Sequence, residues 1–257
     1  MSKRLVAVLG TTFALSAIVG NTIGAGILRT PGEIAAHLPT PALFFGVWIL
    51  GALYALGGAN AVCELATMIP RSGGQYHFAR EALGPYAGFV VGWNDWISVA
   101  GSGTAVALVF AESLAALVPP FAGHDRAIAA ALIVAFTILV WHRVQIAAMA
   151  QNVTTTLKAL AFVALIGAAF AFAAKHGIAV VAPSAVPRGT SLVAAVVIAM
   201  QAVIYSFDGW TGAIYFSEEV RDPGRSIPRA TFGGLLAVVA FYLLINAAFV
   251  IVIPLPR

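Results

Sequence analysis

Two ionisable residues stand inside long apolar stretches of this sequence. Lys158 lies in the stretch 152–174, and Asp208 lies in the stretch 190–216. Ionisable side chains in membrane-length segments are costly to bury, so they mark ion or substrate pathways by default. A buried lysine can serve as a fixed cation or as a proton carrier, because burial disfavours its charged form. The pair therefore indicates recognition of charge or movement of protons.

Each of these residues also has a simpler interpretation, which the sequence leaves open. Lys158 lies about six residues from the start of its segment, roughly 9 Å at 1.5 Å per residue, so its side chain could extend to the membrane interface. Thr155 shares its helix face. Asp208 could cap the second half of a broken helix by accepting bonds from backbone N–H groups. Arg29 and Glu33, one turn apart, predict an ordinary i,i+4 ion pair.

Runs of glycine interrupt two of the apolar stretches. Gly20, Gly24 and Gly26 fall within seven residues inside the stretch 5–38, and the stretch 205–212 combines a carboxylate with two glycines. Glycine is poor in a helix interior and adopts non-helical backbone freely, so both places predict a broken helix. Irregular backbone at membrane depth is tolerated only where it is packed in protein or lines a cavity. The two breaks predict a ligand site near the middle of the bilayer.

The composition predicts an all-α integral membrane protein that carries these sites. The chain has 257 residues, of which 61% are hydrophobic and 9% are charged, whereas soluble domains carry about 25% charged residues. A spanning helix needs roughly 20 apolar residues. Segments of that length predict a single transmembrane domain over 1–257 with about seven helices, at 5–38, 41–67, 84–118, 126–142, 152–174, 190–216 and 230–254.

Basic residues in the loops predict that the N-terminus is cytoplasmic, since cytoplasmic loops carry an excess of Lys and Arg. With this orientation the outside loops hold Arg126, Lys175, Arg188 and Arg257. The inside loops hold twice as many, namely Lys3, Arg4, Arg71, Arg80, Arg143, Arg221, Arg225 and Arg229. The net charge of +4 then fits loops beside anionic lipid and not a nucleic-acid partner. We expect a protein of the cell membrane, inner or plasma.

Four motifs of the chain resemble those of the amino acid–polyamine–organocation superfamily, and most closely those of bacterial amino acid permeases related to the L-type transporters. Gly20–Ile27 is similar to the motif in helix one of that family, and Pro70–Tyr76 to the loop after helix two. Asp208–Trp210 lies where many relatives have a Gly-Trp pair, and Glu218–Ala230 is similar to the long loop that follows helix six. The resemblance spans nearly the whole chain.

The resemblance implies a LeuT-like fold, which is a five-plus-five inverted repeat with helices 1 and 6 broken at the substrate site. The first repeat would cover about 5–174, and a partial second repeat would cover about 190–257. Members of the family usually have about twelve helices. We therefore expect this chain to be a truncated or partial permease.

The resemblance also implies a substrate site at the two breaks. The substrate carboxylate would meet backbone N–H groups where the second half of helix 1 begins, because helix N-termini attract anions. Lys158 matches a helix-five lysine that takes the place of a sodium ion in sodium-independent members, which implies a coupling role. The implied carboxylate positions are Ile23, Gly24, Ala25 and Gly26. Tyr205 aligns with an aromatic residue that closes over the substrate in relatives. The substrate amine would meet carbonyl groups at the end of the first half of helix 6, in the region of Tyr205, Ser206, Phe207, Asp208 and Gly209.

The leading hypothesis is secondary active transport of amino acids, by proton coupling or by exchange. It implies an amino acid substrate, protons and the lipid bilayer as partners, with no cofactor, no metal and no enzymatic activity. The sequence leaves the amino acid and the oligomeric state open. One alternative is an intramembrane enzyme that uses Asp95 and Asp208. Another is a seven-helix receptor or light-driven pump, but the last segment, 230–254, has no lysine for a retinal Schiff base.

Overall fold

The computed structural model describes residues 11–24, 26–142, 144–177, 191–220 and 222–253, and within these ranges it is all-helical, without a β-strand. Two short 3-10 helices cover Pro119–Phe121 and Trp210–Phe216. The α-helices in the described ranges are α1 (Thr11–Thr22), α2 (Gly26–His37), α3 (Pro41–Met68), α4 (Gln75–Leu83), α5 (Pro85–Leu117), α6 (Asp125–His142), α7 (Val144–His176), α8 (Leu192–Phe207) and α9 (Pro223–Val252).

Local chemistry explains where several helices begin. Pro41, Pro85 and Pro223 stand at the first positions of α3, α5 and α9, where an N–H would have no intrahelical partner in any case. Ser191 precedes α8 and its Oγ accepts a hydrogen bond of 3.2 Å from the N–H of Ala194. This is an N-cap of the ordinary kind, so the start of α8 is fixed by its own sequence.

The described helices contain fewer uninterrupted spans than the seven predicted segments. Four of them, α3, α5, α7 and α9, are long and apolar enough to cross a membrane, and α8 with the following 3-10 helix makes a fifth if that bent pair is one span. The two predicted spans outside this count are the first, which is divided into helices of 12 residues each, and the fourth, which is the 18-residue helix α6. The all-helical, apolar character of the chain is confirmed.

The chain divides into two compact units, of which the second comprises residues 73–151. In this unit α4 packs against α5, and α5 packs against α6. A Cβ added at Gly88 would lie 2.7 Å from Cβ of Arg80, and one added at Gly92 would lie 3.0 Å from the ring of Tyr76. The small residues of α5 therefore allow the close approach of α4.

The first unit comprises residues 1–72 and 152–257 and holds both interrupted segments. Its core includes an aromatic cluster of Trp48 on α3, Phe207 at the end of α8 and Tyr242 on α9, and each of the three is at most 2% exposed. Their ring centroids lie 5.2–6.1 Å apart, in tilted or edge-to-face arrangements, which aromatic pairs prefer. The cluster fixes the point at which α8 ends.

Replacing Trp48 by alanine tests the importance of this cluster. We expect Trp48→Ala to lower the free energy of unfolding by about 3–5 kcal/mol, because it leaves a cavity between three helices. The matched control is Tyr54→Ala on the same helix, where the side chain is 61% exposed and the loss should be about 1 kcal/mol or less. Unfolding in detergent micelles measures both losses, and equal losses would contradict the role of the cluster.

Candidate functional site

Both interrupted segments lie in the first unit. α1 ends at Thr22, and α2 begins at Gly26. A Cβ added at Gly24 would meet no atom within 4 Å, so open space adjoins the backbone between the two helices. α8 ends at Phe207, and the 3-10 helix that begins at Trp210 continues at an angle of 40°.

Gly209 brings the two interruptions into backbone contact. Its φ is +111°, a left-handed conformation that favours glycine. A Cβ at this position would lie 2.8 Å from the carbonyl carbon of Asn21 and 2.9 Å from the amide nitrogen of Thr22. Glycine is required here both by the backbone conformation and by the close approach of the end of α1.

The last carbonyl groups of α1 receive hydrogen bonds from Lys158. The final carbonyls of a helix have no intrahelical partner. The Nζ of Lys158 donates to the carbonyl oxygens of Gly20, at 2.6 Å, and of Ile23, at 2.9 Å. A cation at the C-terminal end of a helix is favoured by the helix dipole. The ammonium is thus directed at the interruption.

Tyr242 links the two interruptions directly. Its hydroxyl oxygen lies 2.7 Å from the carbonyl oxygen of Thr22 and 2.8 Å from the carbonyl oxygen of Ser206. The hydroxyl has a single proton, so it donates to one carbonyl at a time. Because the side chain is 1% exposed, water does not replace these bonds. The sequence analysis missed this residue, although a tyrosine in an apolar segment needs a partner for its hydroxyl.

A pair of hydroxyl groups joins α2 to α8 beside the start of α2. The hydroxyl of Ser206 lies 2.9 Å from Oγ1 of Thr30 and 3.0 Å from the carbonyl oxygen of Ala202, both of which can accept its proton. Ser206 and Thr30 are buried. A Cβ added at Gly26 would lie 3.8 Å from Oγ of Ser206. Polar atoms therefore line the first turn of α2.

A cavity of about 520 Å³ lies between α2 and α8. Gly26 and Tyr205 line it at the interrupted ends of the two helices, and Arg29, Glu33 and His37 continue along α2. This volume falls within the range of about 300–1,000 Å³ that is usual for small-molecule sites. The cavity is large enough for an amino acid beside the two interruptions.

The residues predicted near the second interruption have different surroundings. Tyr205 is 62% exposed and faces the cavity, whereas the ring of Phe207 is buried in the aromatic cluster. The Oδ1 of Asp208 accepts a 2.9 Å bond from the N–H of Gly209, and the N–H of Asp208 donates to the carbonyl of Tyr205. Of these predicted residues, Tyr205 lines the cavity and Ser206 contacts Thr30 of α2.

The residues predicted at the first interruption are only partly described. Ala25 lies outside the described residues. The N–H of Ile23 donates to the carbonyl of Val19 at 2.9 Å, so this amide is already paired. Thr155, on the face of Lys158, is buried, and its hydroxyl has no partner within the described part of the chain. In the same described ranges, no group of three His, Cys, Asp or Glu side chains could hold a metal ion.

The chain is similar over most of its length to known proteins. A family model described as "Amino acid permease" matches residues 9–257. The serine/threonine exchanger SteT of Bacillus subtilis (strain 168) is 27% identical over 93% of this chain and 54% of its own length. The b(0,+)-type amino acid transporter 1 of Mus musculus is 30% identical over 94% of this chain and 50% of its own length. The chain spans about half the length of the curated relatives it matches.

Removing the hydroxyl of Tyr242 tests whether it holds the interruptions together. We expect Tyr242→Phe to lower the free energy of unfolding by about 1–3 kcal/mol, because it leaves a buried carbonyl without a donor. Tyr205→Phe is the matched control, since it removes a hydroxyl from an exposed ring and should cost about 0.5 kcal/mol or less. Chemical unfolding in detergent measures both, and an equal effect in the two variants would count against the proposed link.

Proposed function

The chain belongs to the amino acid permease family, and on that basis we propose that it acts in secondary active transport of amino acids. Its apolar helices and its family are those of a protein of the cell membrane. The observation that carries the proposal is the pair of interrupted segments, joined at Gly209 and Tyr242 and bordered by a cavity. The relatives are transporters by name and do not favour an intramembrane enzyme or a receptor.

The proposed fold is a LeuT-like inverted repeat. In this arrangement α1 with α2 forms the broken helix 1, and α8 with the Trp210–Phe216 helix forms the broken helix 6. The first repeat covers about 5–174, and a partial second repeat covers about 190–257, all within one transmembrane domain. The excess of basic residues in alternate loops supports a cytoplasmic N-terminus.

The start of α2 is the proposed site for the substrate carboxylate. The first N–H groups of a helix have no intrahelical acceptor, and the helix dipole favours an anion at this end. Because the N–H of Ile23 is paired with Val19, we assign the carboxylate to the amides from Gly24 through Ile27. The open space beside Gly24 supports this assignment.

The end of α8 is the proposed site for the substrate amine. Each carbonyl oxygen has two lone pairs, so the carbonyls of Tyr205 and Ser206 can accept from an ammonium group in addition to their present donors. The region from Tyr205 to Gly209 surrounds this position, with the ring of Tyr205 free to close over a bound substrate. A site with N–H donors on one side and carbonyl acceptors on the other matches a zwitterion.

Lys158 is the proposed coupling residue. Its ammonium is the nearest described cation to the end of α1, and its bonds to the carbonyls of Gly20 and Ile23 depend on its protons. Protonation of Lys158 would hold the end of α1, and loss of the proton would weaken both bonds by removing the positive charge that strengthens them. The relative named as a serine/threonine exchanger supports exchange as an alternative mode, in which Lys158 acts as a fixed cation.

Transport by the purified protein tests the proposed function. We expect proteoliposomes preloaded with L-serine to take up radiolabelled L-serine or L-threonine, because an exchanger of these amino acids is among the relatives. Empty liposomes and liposomes with heat-denatured protein are the controls. The absence of uptake for every common amino acid, with and without a proton gradient, would contradict the proposal.

A substitution at Lys158 tests the coupling role. If Lys158 carries the coupled proton, uptake by Lys158→Ala will vary less with external pH than uptake by the unchanged protein, while substrate binding is partly retained. Lys175→Ala is the matched control, since Lys175 is exposed in the last turn of the same helix. An unchanged pH profile in Lys158→Ala would refute the proton role and leave that of a fixed cation.

A further inference from the structure

The cavity beside α2 is lined by a polar lane on one face of that helix, and of this lane the proposed substrate site uses only Gly26. Gly26, Arg29, Glu33 and His37 all line the cavity, at the three- and four-residue spacing of one helix face. The lane runs from the start of α2 to its end, a distance of about 16 Å at 1.5 Å per residue. Its inner end is the first interruption.

The charged part of the lane is the ion pair between Arg29 and Glu33. Nε of Arg29 donates to Oε1 of Glu33 at 3.0 Å, and the side chains are 83% and 52% exposed. In the described ranges this bond uses one of the five N–H donors of the guanidinium. Because exposed ion pairs contribute only about 0–1 kcal/mol, a ligand can displace or bridge this pair at little cost.

The order of the two charges is the reverse of the order that stabilises a helix. Arg29 lies near the start of α2, where the helix dipole favours an anion, and the first turn contains no acidic residue. An i,i+4 pair is also more stabilising when the acidic residue comes first. Stability of α2 therefore does not account for this arrangement, whereas a positive charge next to the interruption suits an incoming carboxylate.

We propose that the Arg29–Glu33 pair is an encounter site for zwitterionic amino acids, where the substrate binds before it reaches the interruptions. The guanidinium holds the α-carboxylate through a bidentate bond, and the carboxylate of Glu33 holds the α-ammonium. This inference rests on the proposed transport function. Arg29 lies three residues from Gly26, about 4.5 Å along the axis, so the substrate is oriented with its carboxylate towards the first N–H groups of α2.

The test compares transport kinetics of charge variants of the full chain. We expect Arg29→Gln and Glu33→Gln each to raise the KM for L-serine about fivefold, the effect of losing one exposed charged contact. Maximal uptake should stay within about twofold, because the contact is not made at the rate-limiting step. Lys175→Gln, which removes an exposed charge outside the lane, should retain the KM of the unchanged protein.

The reversed pair, Arg29→Glu with Glu33→Arg, separates binding from helix stability. It places the charges in the order that stabilises α2, so a structural role predicts unchanged or improved transport. The encounter site predicts a raised KM, because the reversed pair turns the substrate so that its ammonium, and not its carboxylate, faces the first N–H groups of α2. An unchanged KM in either single variant or in the reversed pair would overturn the inference.

A binding measurement keeps this test separate from that of the proposed function. Scintillation proximity with radiolabelled L-serine reports the time course of binding to the purified protein, and we expect the association rate to fall in the same variants in which KM rises, because an encounter site acts on the rate of binding. Binding that depends on Arg29 and Glu33 without any transport would refute the proposed function alone. Transport with KM and association rate unaffected by both residues would refute the encounter site alone.

Discussion

The carbonyl groups at the end of α1 impose the constraint on which the rest of the first unit depends. A helix that ends inside an apolar environment leaves these acceptors without water, and each unpaired group costs several kcal/mol. Two other helices supply the donors. Lys158 of α7 bonds to Gly20 and Ile23, and Tyr242 of α9 bonds to Thr22. An interruption in one helix is thus maintained by side chains of two others.

The same contacts determine how close the second interruption lies. Tyr242 reaches Ser206 as well as Thr22, and Gly209 approaches the backbone of α1 where no Cβ would fit. The aromatic cluster of Trp48, Phe207 and Tyr242 packs around the end of α8. The aromatic packing, the hydrogen bonds to the helix ends and the cavity are therefore parts of one arrangement. A change in any of them would alter the geometry of the proposed substrate site.

The sequence predicts the position of the proposed site better than it predicts the side chains that hold the two interruptions together. Glycines mark the segments at 20–26 and 205–212, and Asp208 also lies in the second, because glycine and charge are costly in a helical apolar segment for reasons that act locally. The bonds of Lys158 join residues 135 and 138 positions apart, and the bond of Tyr242 to Thr22 joins residues 220 positions apart. Such pairs follow from tertiary packing. The residues next to Lys158 or Tyr242 in the sequence do not show which distant carbonyl each side chain contacts.

A structure of the full chain with a bound amino acid tests the central claim most directly. The account predicts that the carboxylate of L-serine lies within hydrogen-bond distance of the N–H groups between Gly24 and Ile27, with its ammonium facing the carbonyls of Tyr205 and Ser206. Lys158 and Tyr242 would keep their bonds to the end of α1 in that complex. An amino acid bound away from both interruptions would contradict the account.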